Sequence, residues 1–552
     1  MSRFPPKAER LRTRWLGRLP FVEAWDLQRA LWETRVQESS TDDILLLLEH
    51  PPVYTLGRNG DGSNLLVDQA SLAAQGAEFH HIDRGGDITY HGPGQLVGYP
   101  IMALSDPKQI VPYVRKLEQS LIGAMAELEI EAWTEPGLTG VWTPMGKVAA
   151  IGVRVSRGVT MHGFSLNVNT DLTAFEAMHP CGITDRSVTS VSELLGRDAF
   201  IEELVPVVER HFAEVFGYAA VETQHAAFVR GQGRPRHFVV DQLIEAGTFS
   251  EHRHSMEPVL FKGRLMGEPE RPDWMKVKAA MGADFTEMKK LMRGLELNTV
   301  CEEAGCPNIY ECWGQGTATI MILGEFCTRA CSFCDVKTGK PTGLDLMEPF
   351  RVAEAVKAMG LEHAVITSVN RDDLDDGGSE VFAATIREIR RSSPGTSVEV
   401  LIPDFKGDIG ALDTVMSEKP EVLNHNTETV LRLQRDVRTA ANYGRSLALL
   451  ARAKRANPTG RTKSGLIVGM GETEEEVLGA LDDLHAVGVN IVTIGQYLRP
   501  TSRHARIQRY VHPDEFARYK AHGEGIGIDR VESGPLVRSS YHAKESAQLE
   551  TV

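Results

Sequence analysis

Helix and strand patterns alternate along the chain from about residue 340 onward, and this alternation restricts the fold more than any other feature. Residues 347–359 have the apolar spacing of an amphipathic helix that ends at Gly360. Residues 364–369, 465–468 and 490–494 are short apolar runs typical of buried strands. Thr473 and Glu476 form the capping-box pattern that opens a further helix. We therefore predict parallel β/α units that build a partial or complete barrel.

The first 225 residues or so show a mixed α and β pattern instead. Strands are predicted at 44–49, 148–155 and 159–168, and helices at 112–128 and 201–216. With 552 residues the chain is too long for one core. We predict a first domain at 1–225, a linker at 226–265 and a second domain at 266–552.

The predicted linker is rich in basic residues and glycine, with the sequence RGQGRPRH at 230–237. This composition fits a basic docking arm or, more simply, a solvated linker. A short helix is predicted within it at 239–246.

Charge and hydropathy exclude some classes of function. The formal net charge of −15 argues against a protein that neutralises nucleic-acid phosphates. The longest aliphatic run, residues 44–48, is far shorter than the roughly 20 residues that cross a bilayer. No apolar core of a signal peptide follows the basic residues near the N-terminus. We expect a cytoplasmic protein that binds neither nucleic acid nor membrane.

Six of the seven cysteines lie between residues 301 and 334, which indicates metal binding in a reducing compartment. Cys327, Cys331 and Cys334 are separated by three and by two residues. Three thiolates on a four-iron cluster leave one iron free to bind a small molecule. The alternative is zinc, but zinc sites usually use paired C-x-x-C units, and only Cys331 and Cys334 have that spacing.

This triplet resembles the signature of the radical S-adenosylmethionine (SAM) enzymes. Cys301, Cys306 and Cys312 form a second triplet upstream, and the combination is similar to the lipoyl synthases. The resemblance extends from about residue 271 to the C-terminus. It implies two [4Fe-4S] clusters, with Ser540 as the fourth ligand of the second. It also places Phe333 near the adenine of SAM and an Asp-Gly-Gly segment near its methionyl part: Asp376, Gly377 and Gly378. Further candidates beyond predicted strand ends are 403–405, 424–426, 469–472 and 496–498.

The lipoyl synthase resemblance also implies a reaction. Cleavage of SAM would give a 5′-deoxyadenosyl radical that removes hydrogen from carbons 6 and 8 of a protein-bound octanoyl chain. Sulfur from the second cluster would then close each C–S bond. Unactivated C–H bonds resist acid–base chemistry, so a radical cofactor is required. A low-potential electron donor such as ferredoxin or flavodoxin is implied.

The seventh cysteine, Cys181, lies in a different setting. Glycine-rich motifs at 84–95, 146–152 and 162–168 precede it, and together they are similar to the octanoyl-acyl-carrier-protein:protein octanoyltransferases of the biotin/lipoate-ligase-like α+β fold. That resemblance covers about residues 10–220. It implies Cys181 as nucleophile, Lys147 as its partner, and an acyl pocket made by Arg84, Gly85, Gly86, Asp87, Ile88, Thr89, Tyr90, His91, Ala150, Ile151, Gly152, Gly163, Phe164 and Ser165.

The chemistry of this pair is consistent with acyl transfer. Only the thiolate attacks a thioester, and a nearby cation favours ionisation. Lys147 can then return a proton to the leaving thiol. One alternative is an ATP-dependent lipoate or biotin ligase, which needs no thiol; another is a zinc-stabilised binding module without catalysis.

The two resemblances together imply a bifunctional enzyme of lipoate biosynthesis. Its partners would be octanoyl-acyl-carrier protein, the lipoyl carrier domains of 2-oxoacid dehydrogenase complexes, and the H protein of glycine cleavage. We also hypothesise that fusion raises the effective concentration of the octanoylated carrier at the second site.

Overall fold

A computed structural model describes residues 8–37, 42–104, 109–179, 186–225, 260–261, 264–265, 269–275, 292, 294–295, 297–299, 317–341, 343–540, 543 and 545. Cys181, Cys301, Cys306 and Cys312 therefore lie outside the described residues, as does the helix predicted at 239–246.

The N-terminal half is built on a mixed sheet of eight strands in the order β11-β1-β2-β6-β10-β9-β8-β7. A smaller sheet has the order β4-β3-β5. The strands are β1 Arg10–Arg18, β2 Asp43–Glu49, β3 Val53–Leu56, β4 Glu78–His81, β5 Ile88–His91, β6 Gln95–Ile101, β7 Trp133–Glu135, β8 Leu138–Thr143, β9 Gly146–Ser156, β10 Val159–Asn167 and β11 Ala220–His225. The helices are α1 Phe21–Gln37, α2 Gln69–Ala74, α3 Ile110–Glu127, α4 Val191–Leu195 and α5 Ile201–Phe216.

The strands and helices predicted in this half are confirmed to within a few residues. The other elements of this half were not foreseen, and two of them bear on function. The polar segment 84–95 contains the strand β5, whose Ile88 and Tyr90 point into a small apolar core with Tyr54 and Phe175. Helix α1 was also missed, and its surroundings are described below.

The C-terminal half contains a second eight-stranded sheet in sequential order from β14 to β21. Short hairpin strands, β12 Leu260–Phe261 and β13 Arg264–Leu265, precede it. The sheet consists of β14 Asn298–Thr299, β15 Thr317–Ile322, β16 His363–Ser368, β17 Ser397–Leu401, β18 Val422–Asn424, β19 Arg461–Val468, β20 Ile491–Gln496 and β21 Arg530–Gly534. The helices are α6 Glu348–Met359, α7 Ser379–Ser392, α8 Ile409–Ser417, α9 Gln434–Val437, α10 Tyr443–Ala456, α11 Glu474–Ala486 and α12 Pro513–Gly525.

Strands β15 to β21 pair in parallel with their sequence neighbours, as the alternating pattern predicts. Among the described strands, no pairing joins β21 to β14 or β15, so the sheet is a partial barrel. The capping box at Thr473 and Glu476 is confirmed at the start of α11. Within the described residues, no helix combines the length and apolarity that a membrane crossing requires.

Candidate active sites

Lys147 is the second residue of β9 and is almost fully buried. Its Nζ donates to the carbonyl oxygen of Thr139 at 3.2 Å and lies 4.7 Å from the centroid of the Trp142 ring. A carbonyl oxygen and an aromatic face each attract a cation, so both contacts fix the position of Nζ. The ammonium of Lys147 is therefore held in one place within the sheet.

Residues Ser187 and Thr189 form backbone hydrogen bonds with Lys147. The backbone N–H of Lys147 donates to Ser187 O at 3.0 Å, and Thr189 N–H donates to Lys147 O at 3.0 Å. On the other side, His179 N–H donates to Asn64 O at 2.9 Å. The residues on either side of 180–185 are thus held by backbone hydrogen bonds, and those on the C-terminal side pair with Lys147.

Glycines in β9 and β10 let neighbouring groups pack closely against these strands. Gly152 and Gly163 pair directly across the two strands. A Cβ atom on Gly163 would lie 2.2 Å from Gly98 O, and one on Gly152 would lie 3.0 Å from Arg84 Cδ. Around them stand the other predicted pocket residues of these strands, Ala150, Ile151, Phe164 and Ser165, in adjacent register positions.

Arg84 supports this region from within. Its Nη2 donates to Thr55 O at 2.6 Å and to Thr55 Oγ1 at 2.9 Å, and its side chain is buried. The neighbouring Gly85 N–H donates to Val153 O at 2.9 Å, which fastens the turn to β9. Gly86 has a φ of +88°, a conformation that favours glycine. Arg84 to Gly86 therefore form a turn that is fixed to β3 and β9.

The other residues of the 84–91 motif lie in two different environments, one apolar and one polar. Ile88 and Tyr90 lie in the apolar core, whereas the buried His91 has its Nδ1 2.7 Å from Gln95 Oε1. Burial, with a further contribution from His50, lowers the pKa of His91 to about 3, so the ring is neutral. Asp87 accepts a hydrogen bond from Asn64 Nδ2.

In the C-terminal half, Cys327, Cys331 and Cys334 share one loop that is closed at its base. Cys327 N–H donates to Lys337 O at 2.8 Å, and Gly339 N–H donates to Cys327 O at 3.0 Å. The Sγ of Cys327 accepts backbone N–H groups of Arg329 at 3.5 Å and Asn370 at 3.4 Å. Such hydrogen bonds to sulfur are typical of thiolates that hold an iron–sulfur cluster.

The electrostatics of the loop fit a cluster as well. Burial, then the neighbouring thiols and Glu428, raises the pKa of Cys334 to about 12, and burial raises the pKa of Cys331. A bound cation such as iron would favour the thiolate form of both side chains. No group of three or more His, Cys, Asp or Glu side chains in the described part of the chain surrounds a single-ion position. Thiolates of a four-iron cluster bind different irons and need not converge in that way.

The loop is anchored by an arginine that sequence reasoning missed. Arg329, between Cys327 and Cys331, donates through Nε to Asp372 at 2.7 Å and through Nη2 to Asp404 at 2.7 Å. Asp404 in turn accepts from Arg445 Nη1 at 3.2 Å. Although burial opposes ionisation, the two arginines hold the pKa of the Asp404 carboxyl well below its usual range. Asp404 lies in the flagged segment 403–405, but its partners are distant in sequence.

The predicted SAM contacts have a structural explanation of their own. The carboxylate of Asp376 accepts N–H groups of Gly378 and Glu380, each at 3.0 Å, and so caps α7. Gly377 and Gly378 have φ values of +61° and +91°. A Cβ atom on Gly378 would lie 2.3 Å from Leu323 Cδ1. The segment therefore forms a helix N-terminus close to the strand that leads to the cysteine loop.

The structure also describes the contacts of Phe333 and Ser540. Phe333 lies within the cysteine loop and packs against the core of the partial barrel. Ser540 accepts a hydrogen bond from Thr319 Oγ1 at 2.8 Å, and Thr319 belongs to β15. Glu428 was missed: its φ of +64° is unusual for a non-glycine residue, and burial raises its pKa.

Family models match both halves of the chain. The model of the lipoyl protein ligase A/B catalytic domain matches residues 20–213, and that of the radical SAM superfamily matches 321–484. The N-terminal domain of lipoyl synthase of the radical SAM family matches 242–306. The fold and the cysteine loop thus define a radical SAM enzyme that also carries a lipoyl protein ligase A/B catalytic domain.

The C-terminal half identifies the particular family. It is 60% identical over 282 residues to a lipoyl synthase of Rubrobacter xylanophilus, a match that covers 51% of this chain and 88% of that relative. A lipoyl synthase of Symbiobacterium thermophilum is 56% identical, covering 52% of this chain and 91% of its own length. The chain belongs to the lipoyl synthase family, and this confirms the prediction of two [4Fe-4S] clusters and SAM as cofactors.

Two solved structures are each similar to one half of the chain. A putative lipoate protein ligase from T. acidophilum with bound lipoic acid shares 16% identity, with a TM-score of 0.32, and covers 40% of this chain and 90% of its own. Methylornithine synthase (PylB) shares 14% identity, with a TM-score of 0.31, and covers 45% and 74%. At these TM-scores the assignment rests on the family matches.

Proposed function

We propose that the chain catalyses two consecutive steps of lipoyl assembly. Its N-terminal half transfers octanoyl from acyl-carrier protein to a lysine of a lipoyl carrier domain through an acyl-Cys181 intermediate. Its C-terminal half then inserts two sulfur atoms at carbons 6 and 8. The observation that supports the first step is the pairing of Lys147 with residues 187–189, directly after the Cys181 segment.

For acyl transfer, the ammonium of Lys147 favours the Cys181 thiolate, which attacks the carbonyl carbon of the thioester. The carrier thiolate leaves and takes a proton from Lys147 Nζ. The neutral amine of the carrier-domain lysine then attacks the acyl-Cys181 thioester; its proton passes to Lys147 Nζ, which restores the ammonium, and the Cys181 thiolate is released. We place the acyl chain near Gly152 and Gly163 on the resemblance alone.

For sulfur insertion, Cys327, Cys331 and Cys334 would hold one cluster, and Cys301, Cys306, Cys312 and Ser540 the other. When bound, the first cluster and SAM supply a carbon radical able to remove hydrogen from unactivated carbons. The chain's own contribution is to fix the cysteine loop through Arg329 and to present backbone at Gly377 and Gly378. We propose Phe333 and Asp376 as neighbours of SAM on the resemblance alone.

The substrates are lipoyl carrier proteins. We propose the lipoyl domains of 2-oxoacid dehydrogenase complexes and the glycine cleavage H protein in particular, with ferredoxin or flavodoxin as electron donor in the cytoplasm. The division into domains at 1–225 and 266–552, with a linker at 226–265, stays a proposal.

One anaerobic experiment tests both steps. The reconstituted chain is incubated with octanoyl-acyl-carrier protein, a lipoyl carrier domain, reductant and SAM, and the carrier is weighed by mass spectrometry. We expect an octanoylated carrier first and a carrier with two added sulfurs later. Cys181→Ala should block the first product, while Cys327→Ala should block only the second.

The same assay separates the transferase from a ligase. If Cys181→Ala kept full activity, and free octanoate with ATP were required, the N-terminal half would be an ATP-dependent ligase. If no variant of the cysteine triplet lowered sulfur incorporation, the second step would be wrong.

A further inference from the structure

Helix α1 is enclosed by both halves of the molecule. Between Phe21 and Val36 only Arg29 is exposed. One side faces the transferase sheet: Gln28 Oε1 accepts the backbone N–H of His162 in β10 at 2.8 Å. The opposite side packs against α10 of the partial barrel. A surface helix would leave one face in water, so this helix is built as an internal element.

The crossing of α1 and α10 is unusually close at one glycine. A Cβ atom on Gly444 would lie 2.5 Å from Glu23 O and 2.7 Å from Leu27 N. At the same point, Tyr443 N–H donates to Glu23 Oε1 at 3.2 Å. The side chain of Glu23 thereby satisfies a backbone donor of the first turn of α10, as an N-terminal cap does.

A second contact joins β1 to α11. Arg14 forms an ion pair with Asp483, and both side chains are buried. Tyr443 OH donates to the other carboxylate oxygen of Asp483 at 2.9 Å, and Arg12 Nη1 donates to Asp482 O at 3.3 Å. Burying these charges would be unfavourable unless they were paired, so the contact requires both halves to be present.

Apolar side chains complete the interface. Leu27 and Leu31 of α1 belong to one continuous buried cluster with Leu447 and Leu450 of α10. The packing between the halves is incomplete. A cavity of about 440 Å³ lies beside the interface and is lined by residues of both halves. Arg455 and Glu33 form an ion pair at 3.1 Å at the far end of the two helices.

We propose that the two halves form a permanent intramolecular complex, held by α1 and β1 on one side and α10 and α11 on the other. This association does not depend on residues 226–259, which connect the halves. Given the proposed function, the two catalytic sites keep one relative position. The octanoylated carrier must therefore move between them, because neither half can swing toward the other.

The interface also reaches the cysteine loop. Arg445 follows Gly444 directly in α10 and binds Asp404, which binds Arg329 in the loop. Docking of the transferase half thus positions the N-terminal turn of the helix that supports the proposed cluster site.

Cleavage of the connection tests the proposal on the full chain. A site for a specific protease is inserted between Arg236 and His237, and the holoprotein is cut and analysed by size exclusion. We expect both fragments to elute together at micromolar concentration. Separate elution of two folded fragments would overturn the proposal. Neither activity is measured, so a failure of the proposed function would not affect the result.

Exchanging the charges of the Arg14–Asp483 ion pair tests whether this contact holds the two halves together. Arg14→Glu should weaken the association of the cut fragments at least tenfold, and adding Asp483→Arg should restore it. If Arg14→Glu left association unchanged, the surface would be assigned wrongly. If the double variant failed to restore it while Arg14→Glu alone separated the fragments, the Arg14–Asp483 contact would likewise be refuted.

Hydrogen exchange on the uncut chain gives an independent measurement. Gly444→Leu should speed exchange of the α1 amides at least tenfold, because its side chain would collide with the α1 backbone. The control is Gly525→Leu, at a helix glycine where an added Cβ atom would meet no other atom within 4 Å. Unchanged α1 exchange in Gly444→Leu would contradict the proposed docking.

Discussion

The ring of Trp142 contacts two cations, with Lys147 Nζ 4.7 Å and Arg186 Cζ 5.4 Å from its centroid. Arg186 begins the described chain just after the Cys181 segment. One buried aromatic side chain therefore contacts both the proposed proton donor and the segment that follows the proposed nucleophile.

We predict that Trp142→Leu lowers kcat/KM for octanoyl transfer about tenfold, because a buried cation–π contact is worth roughly 1–2 kcal/mol. Trp142→Phe keeps an aromatic face and should retain most of the activity. The pH at which Cys181 alkylation reaches half of its maximal rate should be higher in Trp142→Leu than in the unchanged protein. Trp133→Leu, on the paired strand, is the control. An unshifted alkylation profile would argue against this role of the ring.

Asp404→Asn should loosen the cysteine loop by removing the charge that holds Arg329 and Arg445. We expect iron content after reconstitution to fall by about half or more, with a broadened electron paramagnetic resonance signal. Octanoyl transfer should be unaffected. Asp413→Asn, which disrupts the exposed pair with Arg452, is the matched control. Normal iron content in Asp404→Asn would contradict this prediction.

Gly378→Ala should destabilise the partial barrel, because the new Cβ would meet Leu323 in a left-handed conformation. A loss of about 2 kcal/mol is typical of such a collision with strain. Thermal unfolding measures this loss of stability. The affinity of the protein for SAM should fall as well. Gly395→Ala, at a glycine with open space around its Cβ position, should change neither quantity.

The buried pair of Glu399 and Lys463 should make stability depend on pH. Despite the opposing effect of burial, Lys463 and His363 lower the pKa of Glu399 to about 2, below its usual 4.5. A depressed carboxyl pKa stabilises the fold fully above pH 4.5, and this contribution is lost as the pH falls toward 2. Its size is about 3 kcal/mol.

Thermal unfolding of Glu399→Gln against the unchanged chain tests this directly. The difference in stability should be large at pH 7 and should shrink between pH 4.5 and 3. Glu474→Gln, at an exposed pair with Arg518, should show a small difference at every pH. A Glu399→Gln effect that did not vary with pH would show that the charge is not responsible.

The β/α part of the fold can be predicted from sequence because the apolar residues of each helix or strand recur with a single spacing. Helix α11, for instance, has its capping box and its apolar spacing in the expected places. Helix α1 was missed since it is buried on two opposite sides and polar residues such as Glu23 and Gln28 occupy both. Its sequence therefore shows no single apolar face.

The candidate sites were predictable where ligands lie close in sequence, as in the cysteine loop. The link from Arg329 to Asp404 and Arg445 was not, because it joins residues 75 and 41 positions apart. Strand β5 was hidden for a different reason: only Ile88 and Tyr90 alternate within a glycine-rich segment, and four residues are too few to show a period.

Because α1 touches β10 through Gln28 and α10 through Glu23, a substitution on this helix disturbs two enzymes at once. A strain carrying such a substitution could lose lipoylated proteins without either catalytic centre being altered. Genetic complementation with a separate transferase or a separate synthase would then each repair only part of the defect.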